Sequence, residues 1–245
     1  MTTDTTSRTL GTALVTGATS GIGRAAALRL ARDGWEVIVH GRNAGRGGDV
    51  VAAIQAEGGR ARFVSSDLSD LDDVRHLAED AGEVDVLVNN AGASWFGPTA
   101  DLDGPGFDSL FDGNVRSAYF LVAALAPGMV QRGRGSIINL ASMAGTIGLA
   151  GGAAYGATKA AMASMARSWA AEFSPQGVRV NAVAPGPVYS TPDKSDLIEG
   201  LGKTTLLGRG AQVDEIAEVI AFLASDRASY LTGSVLAADG GRTAI

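Results

Sequence analysis

The sequence predicts an α/β protein built on one doubly wound parallel sheet of about seven strands, with helices on both faces. Short apolar runs alternate with longer amphipathic stretches along the chain, and no linker or internal repeat interrupts them. The first apolar run, residues 12–16, leads through a glycine-rich turn into a helix. We therefore expect a single Rossmann-like domain over residues 10–245, preceded by a disordered tail over residues 1–9.

Composition excludes several classes of site. The 245 residues include no cysteine and only two histidines, His40 and His76, so we expect no disulfide, no metal cluster and no histidine-based triad. The net charge is −6 and no basic cluster is present, which argues against nucleic acid or membrane as a partner. No apolar run reaches membrane-spanning length and no signal peptide is evident, so a cytoplasmic location is expected.

The turn after the first strand reads Gly17-Ala-Thr-Ser-Gly21-Ile-Gly23. A glycine-rich turn between a strand and a helix lets backbone amides and the positive helix end meet a phosphate group. The glycines could instead permit tight packing alone, but the position of the turn in the first strand–helix unit favours a dinucleotide. The candidate cofactor-binding residues of this turn are Gly17, Thr19, Ser20, Gly21, Ile22 and Gly23.

The second strand, residues 36–40, ends in Gly41, Arg42 and Asn43. A carboxylate at this strand end would hold the adenosine ribose diol, and none is present. Arg42 brings a positive charge that suits a ribose 2′-phosphate, which favours NADP(H) and leaves NAD(H) possible. The alternative is that Arg42 is a solvated surface residue. Asn43 is a further cofactor-binding candidate.

Polar residues also follow the third and fourth strands. Asp67 either accepts a hydrogen bond from the adenine amino group or serves as a turn carboxylate, and the residues leave both readings open. Asn89 is expected to tie neighbouring strands together. The cofactor-binding candidates at these strand ends are Asp67, Leu68, Asn90, Ala91 and Gly92.

Tyr155 and Lys159 stand four residues apart in an alanine-rich helical run, so both side chains lie on one helix face. An ammonium about 5 Å from a phenol, at an effective dielectric near 20, attracts the phenolate by roughly 3 kcal/mol. We therefore expect the pKa of Tyr155 to fall by about 2 units, toward values useful for proton exchange with an alcohol or carbonyl. The plain alternative is two ordinary helix residues.

Two further polar residues are candidate site residues because of where they lie in the predicted fold. Asn114 lies in an apolar helix predicted over residues 107–132, where it either kinks the helix around a water or serves a site. Ser142 comes just after the fifth strand, residues 135–140, at the sheet edge where substrates bind in such folds.

The sixth strand ends at Pro185 and Gly186, and Val188 then opens a polar, glycine-bearing segment. We expect residues 188–207 to form a mobile lid that decides substrate choice, and we include Pro185, Gly186 and Val188 among the cofactor-binding candidates.

The helix that carries Tyr155 has a back made of small residues, and residues 151–173 include only three charged side chains. An exposed helix back is normally charged, so we expect this face to pack against another subunit in a homodimer or homotetramer. The residues of this face are Ala157, Ala160, Ala161, Ser164, Ser168 and Ala171.

Taken in order and spacing, these motifs resemble the short-chain dehydrogenases/reductases from residue 10 to the C-terminus. The matching elements are the glycine-rich turn from Thr16 to Gly23, Asn89-Asn-Ala-Gly92, Asn114, Ser142, Tyr155-x-x-x-Lys159 and Pro185-Gly186. Arg42 resembles the NADP(H)-using members, many of which carry a basic residue where this chain has Ser20.

The resemblance implies a role for each member of the tetrad. Tyr155 would be the acid in reduction and the base in oxidation, and Ser142 would hold the substrate oxygen. Lys159 would bind the nicotinamide ribose and depress the tyrosine pKa, and Asn114 would keep a water in a proton relay behind Lys159.

The C-terminal third looks like that of the 3-oxoacyl-[acyl-carrier-protein] reductase-type members, a pattern shared with sugar, steroid and xenobiotic alcohol dehydrogenases. The implied function is NADPH-dependent interconversion of a small-molecule ketone and a secondary alcohol. The competing possibility is a non-catalytic protein that binds a dinucleotide as a redox sensor.

Overall fold

A computed structural model describes residues 9–245 except residues 192 and 194, so the predicted tail lies almost wholly outside the described residues. Seven parallel strands form one sheet in the order β3-β2-β1-β4-β5-β6-β9, and a separate two-stranded sheet pairs β7 with β8. The strands are β1 (Thr12–Val15), β2 (Glu36–Gly41), β3 (Arg60–Ser65), β4 (Val86–Asn89), β5 (Gly135–Leu140), β6 (Val178–Pro185), β7 (Val188–Tyr189), β8 (Ala211–Gln212) and β9 (Val235–Ala238). The helices are α1 (Gly21–Arg32), α2 (Ala44–Ala56), α3 (Leu71–Ala81), α4 (Gly104–Phe111), α5 (Ser117–Arg132), α6 (Ala153–Phe173), α7 (Ser195–Gly202) and α8 (Val213–Ala224).

Helices cover both faces of the large sheet, which confirms the predicted fold class. Ala13 and Val15 of β1 point to one face and join the core formed with α1, α2 and α8. Leu14 points to the other face and joins the core formed with α3, α5 and α6. Strands buried on both faces are largely apolar, which is why most of them appear in the sequence as short apolar runs.

The direction of chain travel across the sheet reverses between β1 and β4, and ligands of open parallel sheets bind at such a reversal. Thr16, which follows β1, joins the two strand ends. Its amide donates to the Val88 carbonyl at 3.0 Å, and its hydroxyl oxygen accepts from the amides of Asn90 and Ala91, both at 3.0 Å. The glycine-rich turn and the segment after β4 therefore meet at one edge.

The helix predicted over residues 107–132 is divided in the structure. Helix α4 ends at Phe111, a π-helical turn spans Asp112–Arg116, and α5 continues from Ser117. Single π turns inside helices commonly occur at functional sites, and this one contains Asn114.

The predicted lid contains regular structure. Strand β7 opens it and pairs with β8, which lies just beyond it, and α7 lies between them. None of the helices in the described part of the chain is long and apolar enough to cross a bilayer.

Candidate active site

The glycine-rich turn leads into the N-terminus of α1, which no side chain in the described part of the chain caps. Ser20 occupies the N-cap of α1, but its side chain makes no capping hydrogen bond, and the first turn of α1 contains no acidic residue. By contrast, Asn43, Asp70 and Asp103 each cap their helix with a side-chain oxygen. Unpaired amides and the positive end of the helix dipole suit a phosphate group, so this turn fits the pyrophosphate of a dinucleotide.

The glycines of the turn have two different roles. Gly17 and Gly21 adopt φ angles of +65° and +55°, which L-residues with a side chain rarely adopt. Gly23 is needed for space, because a Cβ there would lie 2.4 Å from both Asn90 Nδ2 and the Gly17 carbonyl oxygen. Tight packing thus explains Gly23, while Gly17 and Gly21 shape the turn itself. Ile22 packs against the core beside α8.

Arg42 lies exposed at the end of β2. A Cβ on Gly41 would come within 2.6 Å of Thr19 Cγ2, so the strand end that carries Arg42 packs against the glycine-rich turn. Asn43 Oδ1 accepts the Arg46 amide at 2.9 Å and caps α2, so this oxygen is already bonded within the protein.

The residues after β3 are held by the protein itself. Asp67 Oδ1 accepts the Ser69 amide at 3.1 Å and the Ser69 hydroxyl at 2.9 Å. These bonds hold the pKa of Asp67 below its ordinary value. The geometry supports the turn-carboxylate reading of Asp67, and the neighbouring Leu68 side chain lies in the core.

His40 contributes to this region although no sequence motif indicated it. The ring is buried, its Nδ1 accepts the Gly17 amide at 3.2 Å, and its Nε2 lies 3.2 Å from the Ser66 carbonyl oxygen. Burial lowers its pKa to about 4, so the ring is neutral and its Nε2 carries the proton. His40 therefore holds the glycine-rich turn against the end of β3. Its place beside Gly41 at the end of an apolar strand was the only cue in the sequence.

The two asparagines after β4 stabilise the sheet edge. Asn89 Nδ2 donates to Asn139 Oδ1 at 3.0 Å and joins β4 to β5, as expected. Asn90 Nδ2 donates to the Thr16 carbonyl at 2.8 Å, so its side chain binds the start of the glycine-rich turn to the end of β4. Gly92 follows, and a Cβ there would lie 2.8 Å from Asn114 Oδ1.

Asn114 is buried and its amide is fully bonded to protein groups. Its Oδ1 accepts the Ala93 amide at 2.7 Å, while its Nδ2 donates to the Ala93 carbonyl at 2.9 Å and to Thr158 Oγ1 at 3.0 Å. The helix has a π turn at Asn114, which brings this amide to the segment after β4, and the predicted kink around a water stays a prediction. Asn114 thereby fastens that segment to α6.

Tyr155, Lys159 and Ser142 come together where α6 passes the end of β5. The buried Lys159 Nζ donates to the Leu140 carbonyl at 2.8 Å and lies 5.8 Å from the centroid of the Tyr155 ring. Gly156 allows this approach, because a Cβ there would lie 2.5 Å from the carbonyl oxygen of Ala144. A larger residue would push the helix away from the segment that carries Ser142.

The candidates after β6 connect that strand to β9. The Gly186 amide donates to the Ala238 carbonyl at 3.1 Å, and a Cβ at Gly186 would lie 2.7 Å from the Cα of Asp239. Pro185 ends β6, and the Val188 side chain is buried in the core.

Comparison with known proteins identifies the family. A family model described as enoyl-(acyl carrier protein) reductase matches residues 17–243. A solved short chain dehydrogenase/reductase family protein is 51% identical, with a TM-score of 0.92 over 97% of this chain and 99% of that one. The chain belongs to the short-chain dehydrogenase/reductase family.

Individual relatives of this short-chain dehydrogenase/reductase differ in substrate. Gluconate 5-dehydrogenase of Gluconobacter oxydans strain 621H is 36% identical over 241 residues, which is 94% of each chain. The 3-oxoacyl (acyl-carrier-protein) reductase of Agrobacterium tumefaciens C58, solved with NADP bound, is 32% identical with a TM-score of 0.90 over 95% of this chain and 94% of that one. The family membership makes the chain an oxidoreductase acting between CH–OH and C=O groups.

In this short-chain dehydrogenase/reductase the pKa of Tyr155 differs from the value predicted from its spacing to Lys159. Burial raises the pKa of Tyr155 above 10.0, and hydrogen bonding by the Ser142 side chain only partly opposes it. Burial lowers the pKa of Lys159 to about 8. The predicted fall in the tyrosine pKa is therefore wrong in direction, because desolvation disfavours both charges and the amine is bonded to Leu140. At neutral pH the phenol is protonated, which is the form that donates a proton.

An aromatic residue that no sequence motif marks, Phe96, lies against this phenol. The Phe96 ring centroid is 5.4 Å from that of Tyr155, at an interplanar angle of 52°, and Phe96 is 54% exposed. Sequence offered no periodic signal for it, since it lies in an irregular segment after β4.

Proposed function

We propose that the protein reduces a ketone to a secondary alcohol with NADPH, and catalyses the reverse reaction, as a ketoreductase of the 3-oxoacyl-reductase type. The observation that carries this proposal is the convergence of Ser142, Tyr155 and Lys159 at the edge where the uncapped end of α1 lies. A bound nicotinamide cofactor would supply or accept the hydride. A sugar, steroid or xenobiotic alcohol is the alternative substrate class.

Each side chain then has a defined task. Tyr155 donates its hydroxyl proton to the carbonyl oxygen in reduction and takes a proton back in oxidation. The Ser142 hydroxyl donates a hydrogen bond to the same oxygen. The Lys159 ammonium, charged below a pKa of about 8, stabilises the phenolate that remains and is placed to hold the nicotinamide ribose hydroxyls. Asn114 fixes the geometry through Ala93 and Thr158, and the water relay behind Lys159 stays part of the proposal.

The cofactor proposal is NADP(H), with NAD(H) as the alternative. The amides at the start of α1 would hold the pyrophosphate and Arg42 the 2′-phosphate. The NADP-bound reductase of Agrobacterium tumefaciens supports this choice. The other proposed cofactor contacts are Gly17, Thr19, Ser20, Gly21, Ile22, Gly23, Asn43, Asp67, Leu68, Asn90, Ala91, Gly92, Pro185, Gly186 and Val188.

The test is a steady-state assay of a ketone panel with NADPH and NADH on the wild type and on Arg42→Ala. We expect turnover of at least one ketone with NADPH, and a KM for NADPH that rises about 10- to 100-fold in the variant because a charge-assisted hydrogen bond is lost. The KM for NADH should stay unchanged. Arg60→Ala is the matched control, since Arg60 is exposed at the opposite end of the sheet.

Two outcomes would contradict the proposal. Equal changes in KM for both cofactors would remove the phosphate role of Arg42. Tight binding of NADPH without turnover of any ketone or alcohol would favour the redox-sensor alternative.

We also propose a homodimer or homotetramer formed through α5 and α6. Tyr119 and Phe120 of α5 are 49% and 42% exposed, and most of the small-residue face of α6 is exposed as well. Sedimentation should give two or four times the chain mass of 24.8 kDa. A mass equal to one chain would contradict this assembly.

Three other expectations stay predictions: the single domain over residues 10–245, the cytoplasmic location, and the lid role of residues 188–207. One contact supports the lid, because a Cβ on Gly21 would lie 3.4 Å from the Cβ of Ser190. The start of this segment thus lies against the turn proposed to hold the cofactor.

A further inference from the structure

We infer that Phe96 forms an apolar wall of the substrate site and selects uncharged ketones and secondary alcohols that carry a ring next to the reacting carbon. Sugar acids and other charged substrates would be disfavoured. This inference rests on the proposed function, in which Tyr155 meets the substrate oxygen.

Phe96 is placed to contact a substrate bound at Tyr155. Large apolar side chains are usually buried, yet the Phe96 ring is 54% exposed while it contacts the ring of Tyr155. A carbonyl oxygen that reaches the Tyr155 hydroxyl brings its substituent beside this exposed face. Covering an aromatic face with an apolar ring is favourable, since it buries area and allows tilted aromatic packing.

The segment that carries Phe96 is fixed in place by hydrogen bonds on both sides of it. Both backbone groups of Ala93 are bonded to Asn114, and the Gly97 amide donates to the Gly151 carbonyl at 3.0 Å. Phe96 therefore lies between two anchors. Its ring also rests on the start of α6, since a Cβ on Gly152 would lie 3.0 Å from Phe96 Cε1.

The surroundings of Tyr155 carry few charged side chains. The two segments that flank Tyr155, residues 91–100 and 141–154, contain no charged residue. Lys159 is buried and bonded to the Leu140 carbonyl. In the described part of the lid, the lysine Lys203 pairs with Glu199 at 3.1 Å. Among the described residues around Tyr155, a substrate carboxylate would lose its hydration without gaining a free cationic partner, which is strongly unfavourable.

The test measures kcat/KM with NADPH for three ketones: acetophenone, butanone and 5-ketogluconate. The variants are Phe96→Ala, Phe96→Leu and, as the matched control, Tyr230→Ala, which removes an exposed aromatic ring outside the proposed site. We expect the wild type to prefer acetophenone. Phe96→Ala should lower kcat/KM about tenfold for acetophenone and less than about twofold for butanone. Phe96→Leu should recover part of the loss, and Tyr230→Ala should match the wild type.

Three outcomes would overturn the inference. Equal losses for acetophenone and butanone would show that Phe96 only supports the fold around Tyr155. Unchanged acetophenone kinetics in Phe96→Ala would show that the ring does not meet the substrate, and a wild-type preference for 5-ketogluconate would exclude the apolar class. Each of these leaves the proposed function intact as long as butanone is reduced, whereas the absence of all turnover contradicts the proposed function itself.

Discussion

Replacing Tyr155 with phenylalanine is expected to lower kcat for ketone reduction by about 10²- to 10⁴-fold, the usual contribution of a positioned proton donor. The variant keeps the ring and its contact with Phe96 at 5.4 Å and removes only the hydroxyl. The KM for NADPH and the circular dichroism spectrum should therefore stay close to those of the wild type. Steady-state kinetics with a ketone that the wild type reduces will measure the loss.

Two companion variants make this result specific. Tyr230→Phe removes the hydroxyl of a fully exposed tyrosine and should leave kcat unchanged. Ser142→Ala removes the proposed hydrogen bond to the substrate oxygen together with the bonds of this hydroxyl to Tyr155 and to the Ala144 amide, and the loss in kcat should be about tenfold. A Tyr155→Phe enzyme as active as the wild type would rule out tyrosine as the proton donor.

Acidification is expected to destabilise the fold through His40. The pKa of this ring is about 4 in the folded protein, below its ordinary value of 6.5, because burial disfavours the charged form. Between pH 6.5 and pH 4 the unfolded chain therefore binds a proton that the folded chain does not. The stabilisation that the neutral ring provides is present above pH 6.5 and is lost as the pH falls toward 4. Between pH 7 and pH 4.5 the loss from this residue is about 2 kcal/mol.

Urea unfolding at the two pH values will measure this effect. The free energy of unfolding should fall by about 2 kcal/mol more for the wild type than for His40→Asn, in which nothing titrates at this position. His76→Asn is the matched control, because it removes the other, exposed histidine of the chain. If His40→Asn loses as much stability as the wild type on acidification, the buried neutral imidazole is not the cause.

Much of the fold could be predicted because its determinants are local in sequence. Strand β5 spans the predicted residues Gly135–Leu140, because Ile137 and Ile138 are buried on opposite faces of the sheet. The predicted positions of Ser142 and Tyr155 also follow from local rules, because a strand end and a helix fix them relative to the sheet.

The features that could not be predicted depend on distant contacts. Asn114 pairs with Ala93, 21 residues earlier in the chain, and no local pattern distinguishes its π turn from a regular helix. The same holds for His40, whose partners are Gly17 and Ser66. The direction in which the Tyr155 pKa shifts depends on burial, which helical spacing does not reveal.

The π turn also constrains how this stretch of chain can vary. It accommodates one more residue than a regular helical turn would, and each residue of a helix turns the chain by about 100°. A single deletion between Asp112 and Arg116 would convert the π turn into a regular helical turn and leave the orientation of α5 unchanged, whereas a further insertion would rotate α5 about its axis and move its buried leucines off the sheet. Of these five positions, Asn114 is also constrained in residue type, because its amide is bonded to both Ala93 and Thr158.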